Sequence, residues 1–308
     1  MERQVILVVG ATGVGKTGIA VEVAERLGTE IVSADSRQLY RGLDVGSAKP
    51  TADERRRAPH RLVDVLDPDE YYNVAMYERD ALREIDDLFA EGKTPIVVGG
   101  SGLYVQAVVE GMFDAPDADP AYRAELERVR REEGAERAHQ MLAEVDPSSA
   151  EAIPPGNFKR VVRALEVYRA TGKSIRVLRE EYRRGDDYAF RTFGLTMDRA
   201  ELYRRVERRV DAMLRSGMIE ETERALRAGY DPSVNALNAL GYPHVIAHLR
   251  GEISLERAAE LMKRDTRRFV KRQTTWFKRD KRIEWLPVGS EEERRAATEK
   301  IFGAAGGD

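Results

Sequence analysis

The sequence predicts an α/β protein with a P-loop-type core, in which a parallel sheet flanked by helices is interrupted by an all-helical insertion. Three observations lead to this prediction. Short β-branched segments alternate with helical periods in the first part of the chain, a glycine-rich loop joins the first strand to the first helix, and a long middle stretch has no strand pattern.

The first elements follow one another as strand and helix. Val5 to Val9 is a continuous apolar run that fits a parallel strand buried on both faces. Apolar residues with helical spacing extend from Thr17 to Leu27. A second strand is expected in "EIVSADS", an acidic helix from about Asn73 to Glu91, and a third strand in "PIVVGGSG". This alternation predicts a doubly wound core.

The pattern changes at "MFDAPDADPAYR", where two prolines break the chain. Helical patterns then dominate until the strand-like "YAFRTFGLTM", which is followed by long charged helices and a last strand in "RIEWLPV". We therefore predict that residues 1–114 form the first part of the core and residues 115–188 the helical insertion. Residues 189–308 are expected to complete the core and to add basic C-terminal helices.

Composition and charge narrow the class of protein. The 308 residues have room for about two domains. There is no cysteine, which excludes disulfides and thiolate metal sites. The N-terminus does not fit a signal peptide, and no apolar run approaches the roughly 18 residues that span a bilayer. A cytoplasmic protein without a membrane partner is expected.

Two basic segments lie within a chain whose net charge is only −3. Residues 155–184 contain nine basic and three acidic side chains, and residues 263–282 contain ten and two. Concentrated positive charge of this kind is typical either of solvated helix faces or of a surface that binds a polyanionic partner.

A phosphate-binding loop lies between the first strand and the first helix. It matches G-x-x-x-x-G-K-[ST] at every fixed position and consists of Gly10, Ala11, Thr12, Gly13, Val14, Gly15, Lys16 and Thr17. The backbone N–H groups and the helix N-terminus form an anion cradle, Lys16 supplies a charge to the terminal phosphate, and the Thr17 hydroxyl can bind Mg²⁺. The motif is typical of nucleotide-binding and ATP-binding proteins, and it predicts a bound diphosphate or triphosphate with Mg²⁺.

One strand end lacks the carboxylate that usually holds Mg²⁺ in a triphosphate hydrolase. The third strand ends in "GGSG", whereas Asp35 ends the preceding strand. The ligand crevice of an open parallel sheet lies at the carboxyl ends of its strands, so Asp35 and Ser101 are expected to face the phosphates. From the residues alone, Asp35 is a metal ligand, a general base or a turn residue at the end of the strand.

Six further segments follow the phosphate loop in this order: "SADSRQLY", "LDVGSAKPT", "PHRLVDVLDP", "VVGGSGLYVQAVVEG", "NFKRVVRALEVYRATGKSI" and "TRRFVKRQTTWFKRD". Together with the loop they resemble the bacterial tRNA dimethylallyltransferase family, from about Val5 to Trp285. The resemblance implies that the loop holds dimethylallyl diphosphate. It also implies transfer of the dimethylallyl group to the exocyclic amine of the adenosine that is 3′-adjacent to the anticodon in tRNA.

The resemblance assigns roles to single residues. Asp35 would take the proton from the amine, while Lys16, Thr17 with its Mg²⁺, and Arg209 would stabilise the leaving diphosphate. The insertion would bind tRNA, and a monomer is expected. Contacts to the tRNA anticodon stem-loop are implied for Asp35, Ser36, Arg37, Gln38, Ser101, Arg123, Lys159, Arg160, Val161, Val162, Arg163, Arg272 and Gln273.

Three alternatives stay open on the sequence alone. An adenylate isopentenyltransferase would share the loop and the prenyl chemistry but act on a free nucleotide, and the two basic segments argue for tRNA instead. A P-loop small-molecule kinase is opposed by the missing strand-end carboxylate. A non-catalytic RNA-binding protein is opposed by the intact Lys16, Thr17 and Asp35.

Overall fold

A computed structural model describes residues 3–113, 116, 118–182, 184–185 and 187–306. The chain divides into two compact units, the first made of residues 1–108 and 186–308 and the second of residues 109–185. The predicted boundary at residues 114 and 115 lies outside the described residues.

Parallel strands form the centre of the first unit. Those among the described residues are β1 (Gln4–Val9), β2 (Ile31–Ala34), β3 (His60–Arg61), β4 (Ile96–Gly99), β5 (Ala189–Thr196) and β6 (Glu284–Pro287). They are arranged in the order β3-β2-β4-β1-β5-β6. The predicted α/β sheet is confirmed, and the strand that the sequence pattern missed is β3, which is too short to show any periodicity.

Helices account for most of the remaining regular structure. In chain order they are α1 (Lys16–Leu27), α2 (Ala52–Arg57), α3 (Val74–Ala90), α4 (Gly102–Glu110), α5 (Pro120–Glu133), α6 (Ala135–Val145), α7 (Pro147–Ala152), α8 (Phe158–Thr171), α9 (Ile175–Glu181), α10 (Arg199–Arg215), α11 (Met218–Arg227), α12 (Tyr242–Leu249), α13 (Leu255–Phe277) and α14 (Glu291–Ala304). Within the described residues, none of them is long and apolar enough to cross a membrane.

The central strand β1 explains why its sequence is a continuous apolar run. It pairs with β4 on one side and β5 on the other, with Ile6 opposite both Ile96 and Arg191. Val5 to Val9 are fully buried, because helices cover both faces of the sheet. On one face, Ile6 and Val8 belong to the same apolar cluster as Ile301 of α14. The phosphate-binding loop therefore follows a buried strand that is hydrogen-bonded on both sides.

The second unit has its own apolar core. Leu126 of α5, Leu142 of α6 and Leu165 of α8 are buried in one cluster, and α9 joins it through Leu178. The described elements of this unit are all helices. The buried carboxylate of Glu166 on α8 also forms an ion pair with Arg123 on α5.

Candidate active site

The phosphate-binding loop is shaped by glycines that adopt a left-handed backbone. Gly13 has φ 80° and Gly15 has φ 107°, values that glycine reaches without strain. A Cβ atom on Gly13 would lie 2.5 Å from Cγ1 of Val206 on α10, so the space is closed to any larger residue. The loop leads directly into α1. The N–H groups of Thr12 and Val14 donate to Gln273 Oε1 and Ala11 O, while within the described residues those of Gly13 and Gly15 are available to an anion.

Lys16 lies in the cradle and its ammonium is satisfied by the loop itself. Nζ donates hydrogen bonds to the carbonyl oxygens of Gly10 at 2.9 Å and Ala11 at 3.1 Å. Burial lowers the pKa of Lys16 to about 8; Asp35 opposes this shift and Arg209 adds to it. The positive charge of Lys16 is therefore costly in the free protein and would be stabilised by an incoming anion.

Asp35 follows directly after β2, at the carboxyl edge of the sheet. Its Oδ1 accepts a hydrogen bond from the backbone N–H of Arg37 at 2.9 Å, which fixes the carboxylate in a local turn. Within the described part of the chain, Oδ2 of Asp35 has no hydrogen-bond donor. One carboxylate oxygen is thus held by the backbone while the other is available to a ligand.

Arg209 reaches the same place from α10. Burial lowers the pKa of its guanidinium, and the nearby Asp35 carboxylate opposes that shift. Nη2 of Arg209 donates a long hydrogen bond of 3.5 Å to the carbonyl oxygen of Ala48. The Asp35 carboxylate affects the pKa of both Lys16 and Arg209, so the three side chains lie close together.

Two cavities meet at Asp35. The larger, of about 660 Å³, is lined by Gly13, Gly15, Lys16 and Thr17 of the phosphate-binding loop. The smaller, of about 300 Å³, is lined by Ser36, Arg37, Ser101, Phe269, Arg272 and Gln273. Both are lined by Thr12, Asp35, Ser47, Ala48 and Arg209. A group held in the phosphate cavity and a group held in the second cavity would therefore both be next to Asp35.

Several of the residues expected to contact tRNA line these cavities. The Ser101 hydroxyl accepts a hydrogen bond from the backbone N–H of Ser36 at 3.0 Å. Arg37 donates to the side-chain oxygen of Asn235 at 3.1 Å. Gln38 lines the larger cavity rather than the smaller one, and its Nε2 donates to Ala48 O at 3.1 Å.

Gln273 has an unexpected set of contacts. Its side chain is buried, with Oε1 accepting from Thr12 N at 2.8 Å and Nε2 donating to Gly100 O at 2.8 Å. The amide therefore ties the phosphate-binding loop to the end of β4. Gln273 therefore shapes the wall of the site, and its contact to tRNA stays a prediction.

Replacing Gln273 by alanine is expected to lower the free energy of unfolding by about 1–3 kcal/mol, because Thr12 N and Gly100 O would both lose their partners. Urea unfolding followed by circular dichroism measures this loss. Thr275→Ala on the exposed side of α13 is the matched control and should change stability by no more than about 0.5 kcal/mol. Equal effects of the two substitutions would contradict the role given to Gln273.

The expected contacts in the second unit are only partly available at its surface. Lys159 and Arg160 are exposed on α8, but Val161 and Val162 are buried in the core. Because α8 must bury one face, the two valines cannot offer side chains to RNA, and that part of the expectation is corrected. In this segment, the expected side-chain contacts to tRNA can come only from the basic residues Lys159, Arg160 and Arg163.

Arg123 also forms an ion pair inside the second unit. Its guanidinium makes a bidentate ion pair with Glu166, at 2.7 Å and 2.9 Å. The Glu166 carboxylate is buried and also accepts from the backbone N–H of Asp119 at the start of α5. Arg123 therefore joins α5 to α8.

Sequence reasoning missed the residues that hold the loop of residues 44–48 against both cavities. The buried Glu221 on α11 accepts hydrogen bonds from the backbone N–H groups of Asp44 at 2.6 Å, Val45 at 2.8 Å and Gly46 at 3.0 Å. The hydroxyl of Tyr242 donates to the same carboxylate at 2.8 Å. The segment "LDVGSAKPT" signalled the importance of the loop, but nothing in it pointed to Glu221.

The first unit has the features of a phosphate-loop α/β domain. They are a central parallel strand, a glycine-rich loop after it, and the side chains of Lys16 and Arg209 beside that loop. The family model described as IPP transferase matches residues 38–280, which is more than half of the chain. The chain belongs to the IPP transferase family.

Relatives and solved structures agree with this assignment over nearly the whole chain. The tRNA dimethylallyltransferase of Thermotoga petrophila is 46% identical over 290 residues, covering 94% of each chain. That of Carboxydothermus hydrogenoformans is 43% identical over 309 residues, covering 99% of this chain and 98% of the relative.

Among solved structures, the tRNA isopentenylpyrophosphate transferase of Bacillus halodurans is similar with a TM-score of 0.73 and 36% identity, covering 99% of this chain and 97% of its own. A eukaryotic dimethylallyltransferase acting on tRNA is similar with a TM-score of 0.79 and 26% identity, covering 98% of this chain and 80% of its own.

Proposed function

We propose that this protein transfers a dimethylallyl group from dimethylallyl diphosphate to the exocyclic amine of the adenosine that is 3′-adjacent to the anticodon in tRNA. The observation that carries the proposal is the position of Asp35 on the wall shared by a phosphate-loop cavity and a second cavity. Relatives that are 43–46% identical over most of the chain are named tRNA dimethylallyltransferases, which supports the same activity.

The diphosphate of the donor belongs in the larger cavity. The loop N–H groups, Lys16 and Arg209 supply positive charge there, and Arg205 adds its guanidinium beside Gly15. As the bond to the prenyl carbon breaks, negative charge grows on the leaving oxygen, and these groups stabilise it. The diphosphate is thus a leaving group, and the proposal requires no hydrolysis of ATP.

The residues at the loop fit a magnesium ion. The Thr17 hydroxyl lines the phosphate cavity and has no hydrogen-bond partner among the described residues. Those residues contain no group of three or more His, Cys, Asp or Glu side chains able to hold a metal by themselves. This suits Mg²⁺, which usually keeps waters and phosphate oxygens beside one or two protein ligands. Bound there, Mg²⁺ would neutralise charge on the diphosphate.

The second cavity is proposed to receive the adenine, turned out of the stacked anticodon loop. The exocyclic nitrogen attacks the first carbon of the prenyl group, forming the C–N bond while the C–O bond to diphosphate breaks and its electron pair leaves with the oxygen. The nitrogen then carries an extra proton, and the Asp35 carboxylate accepts it. Arg272 and Ser101, which line this cavity, are the proposed contacts to the flipped nucleotide.

Affinity for dimethylallyl diphosphate is expected to fall about tenfold between pH 7 and pH 9, because only protonated Lys16 attracts the anion. The pKa of Lys16 is about 8 in the free protein, and the bound diphosphate would raise it. The contribution of Lys16 to binding is therefore constant below about pH 7 and is lost as pH rises through 8. Isothermal titration at several pH values measures the effect. Lys16→Met should bind weakly at every pH, and an equal slope in this variant would contradict the assignment.

Label transfer separates the proposed function from its alternatives. The protein is incubated with radiolabelled dimethylallyl diphosphate, Mg²⁺ and either unmodified tRNA or AMP, with ATP in a parallel reaction. We expect label in tRNA only. Label in AMP but not in tRNA would identify an adenylate isopentenyltransferase, consumption of ATP without transfer would identify a kinase, and binding of tRNA without either reaction would identify a non-catalytic RNA-binding protein.

A further inference from the structure

Four arginines line one cavity of the second unit. Arg160 and Arg163 come from α8, and Arg176 and Arg179 come from α9. Each pair is three residues apart, so its members lie on the same face of their helix. The cavity has a volume of about 200 Å³ and is closed at its base by buried residues that include Ser149. We call these four arginines and their cavity the arginine notch.

Two of the arginines are fixed by contacts within the unit. Nη2 of Arg163 donates to the carbonyl oxygen of Pro116 at 2.8 Å, and its Nη1 lies 3.4 Å from the carboxylate of Glu166. Nη1 of Arg176 donates to the carbonyl oxygen of Ser148 at 3.1 Å. Because each guanidinium carries five N–H donors, both can still serve a ligand.

The other two arginines have no such partner. Among the described residues, no acceptor binds the guanidinium of Arg160 or Arg179, and no acidic residue lines the cavity. Arg179 is exposed as a residue, but the partial burial of its side chain in the cavity and the charge of Arg160 both lower its pKa. The carboxylate of Asp146 accepts from Ser149 N and does not line the notch. Gathering four positive charges around one cavity costs free energy, and the ion pair of Arg163 with Glu166 offsets only part of it.

An anion would offset that cost, and its chemistry follows from the lining. Guanidinium groups bind phosphate oxygens in paired hydrogen bonds. None of the described lining residues is aromatic, so there is no surface on which a base could stack. Arg160, Arg176 and Arg179 are exposed, which leaves them accessible to a polymer that passes over the surface. The notch therefore fits a backbone phosphate better than a free nucleotide.

We propose that the arginine notch binds a backbone phosphodiester of the tRNA, with Arg160 and Arg179 supplying the new hydrogen bonds and Arg163 and Arg176 framing the site. This rests on the proposed function, since it assumes that tRNA is the substrate. It assigns to α9 a role in tRNA binding that the resemblance gave only to α8.

The test compares the double variant Arg160→Ala/Arg179→Ala with Arg128→Ala/Arg131→Ala, which removes equal charge from exposed positions of α5 outside the notch. The dissociation constant for unmodified tRNA is measured by filter binding over a range of salt concentrations. We expect the notch variant to bind about tenfold more weakly, with a salt slope shallower by about 0.7–0.9, which corresponds to one lost phosphate contact. The control should lie near the wild type.

Transfer kinetics and a stability readout complete the test. In transfer kinetics the KM for tRNA should rise in the notch variant by about as much as its dissociation constant, and Arg179→Lys should recover part of the affinity. Melting curves establish that each variant is folded. If the wild type transfers prenyl groups to tRNA but the notch variant has the same affinity and slope, the notch proposal fails alone. If the wild type transfers none, the proposed function fails.

Inorganic phosphate distinguishes a free anion from RNA. If phosphate raises the melting temperature of the wild type and not of the notch variant, while both bind tRNA equally, the notch holds a free anion and the proposal is overturned. Equal loss of tRNA affinity in the notch variant and the α5 control would also overturn it, since the effect would then be one of net charge.

Discussion

Replacing Asp35 by asparagine is expected to lower the rate of prenyl transfer by about 10²–10⁴-fold, the usual contribution of a general base. The amide cannot accept the proton that the amine must lose. It can still accept the hydrogen bond from Arg37 N that now goes to Oδ1, so the turn after β2 should persist. Single-turnover transfer at saturating tRNA and donor measures the loss.

The matched control is Asp69→Asn, the same change at an exposed carboxylate outside both cavities. It should keep the wild-type rate. The affinity of Asp35→Asn for tRNA should change little, because the substitution removes charge and keeps shape. A rate within about threefold of the wild type would remove Asp35 as the base, since general-base catalysis contributes far more than that.

Replacing Glu221 by alanine is expected to lower the free energy of unfolding by about 3 kcal/mol or more. The carboxylate is 2% exposed and satisfies three backbone N–H groups and the hydroxyl of Tyr242. Its removal would leave the buried hydroxyl of Tyr242 and three partly buried N–H groups without this acceptor, and hydrogen bonds to a charged group are worth about 1.5–3 kcal/mol each. Urea unfolding provides the measurement.

Two control substitutions show how much of this loss comes from the Glu221 carboxylate. Glu220→Ala removes an exposed carboxylate from the same helix and should change stability by no more than about 0.5 kcal/mol. Tyr242→Phe removes a single donor and should cost about 1 kcal/mol. Because the loop held by Glu221 lines both cavities through Ser47 and Ala48, the KM for dimethylallyl diphosphate should rise in Glu221→Ala. A loss no greater than that of Glu220→Ala would contradict the role assigned to Glu221.

The elements that the sequence predicted well are those with a local signal. β1 is a continuous apolar run, and the loop after it has glycines at the positions where the backbone takes positive φ. Asp35 was placed correctly at a strand end, because parallel strands share one carboxyl edge. Each of these features depends on a short stretch of chain whose periodicity or spacing is visible.

The features that the sequence did not reveal join residues far apart in the chain. Gln273 binds Thr12 and Gly100, and Glu221 binds the backbone of residues 44–46, so neither partner carries a pattern that names the other. Val161 and Val162 were grouped with their basic neighbours, although helical geometry turns them into the core. Tertiary packing decides these contacts.

In the proposed reaction, the phosphate-binding loop holds the leaving group of a prenyl transfer and not the triphosphate of ATP. Phosphorus NMR of one reaction mixture containing the protein, unmodified tRNA, dimethylallyl diphosphate, ATP and Mg²⁺ tests it most directly. We expect one inorganic diphosphate to be released for each adenosine modified, while ATP is unchanged. Prenylated adenosine that formed only as ATP was converted to ADP, or ADP formation without prenylation, would contradict it.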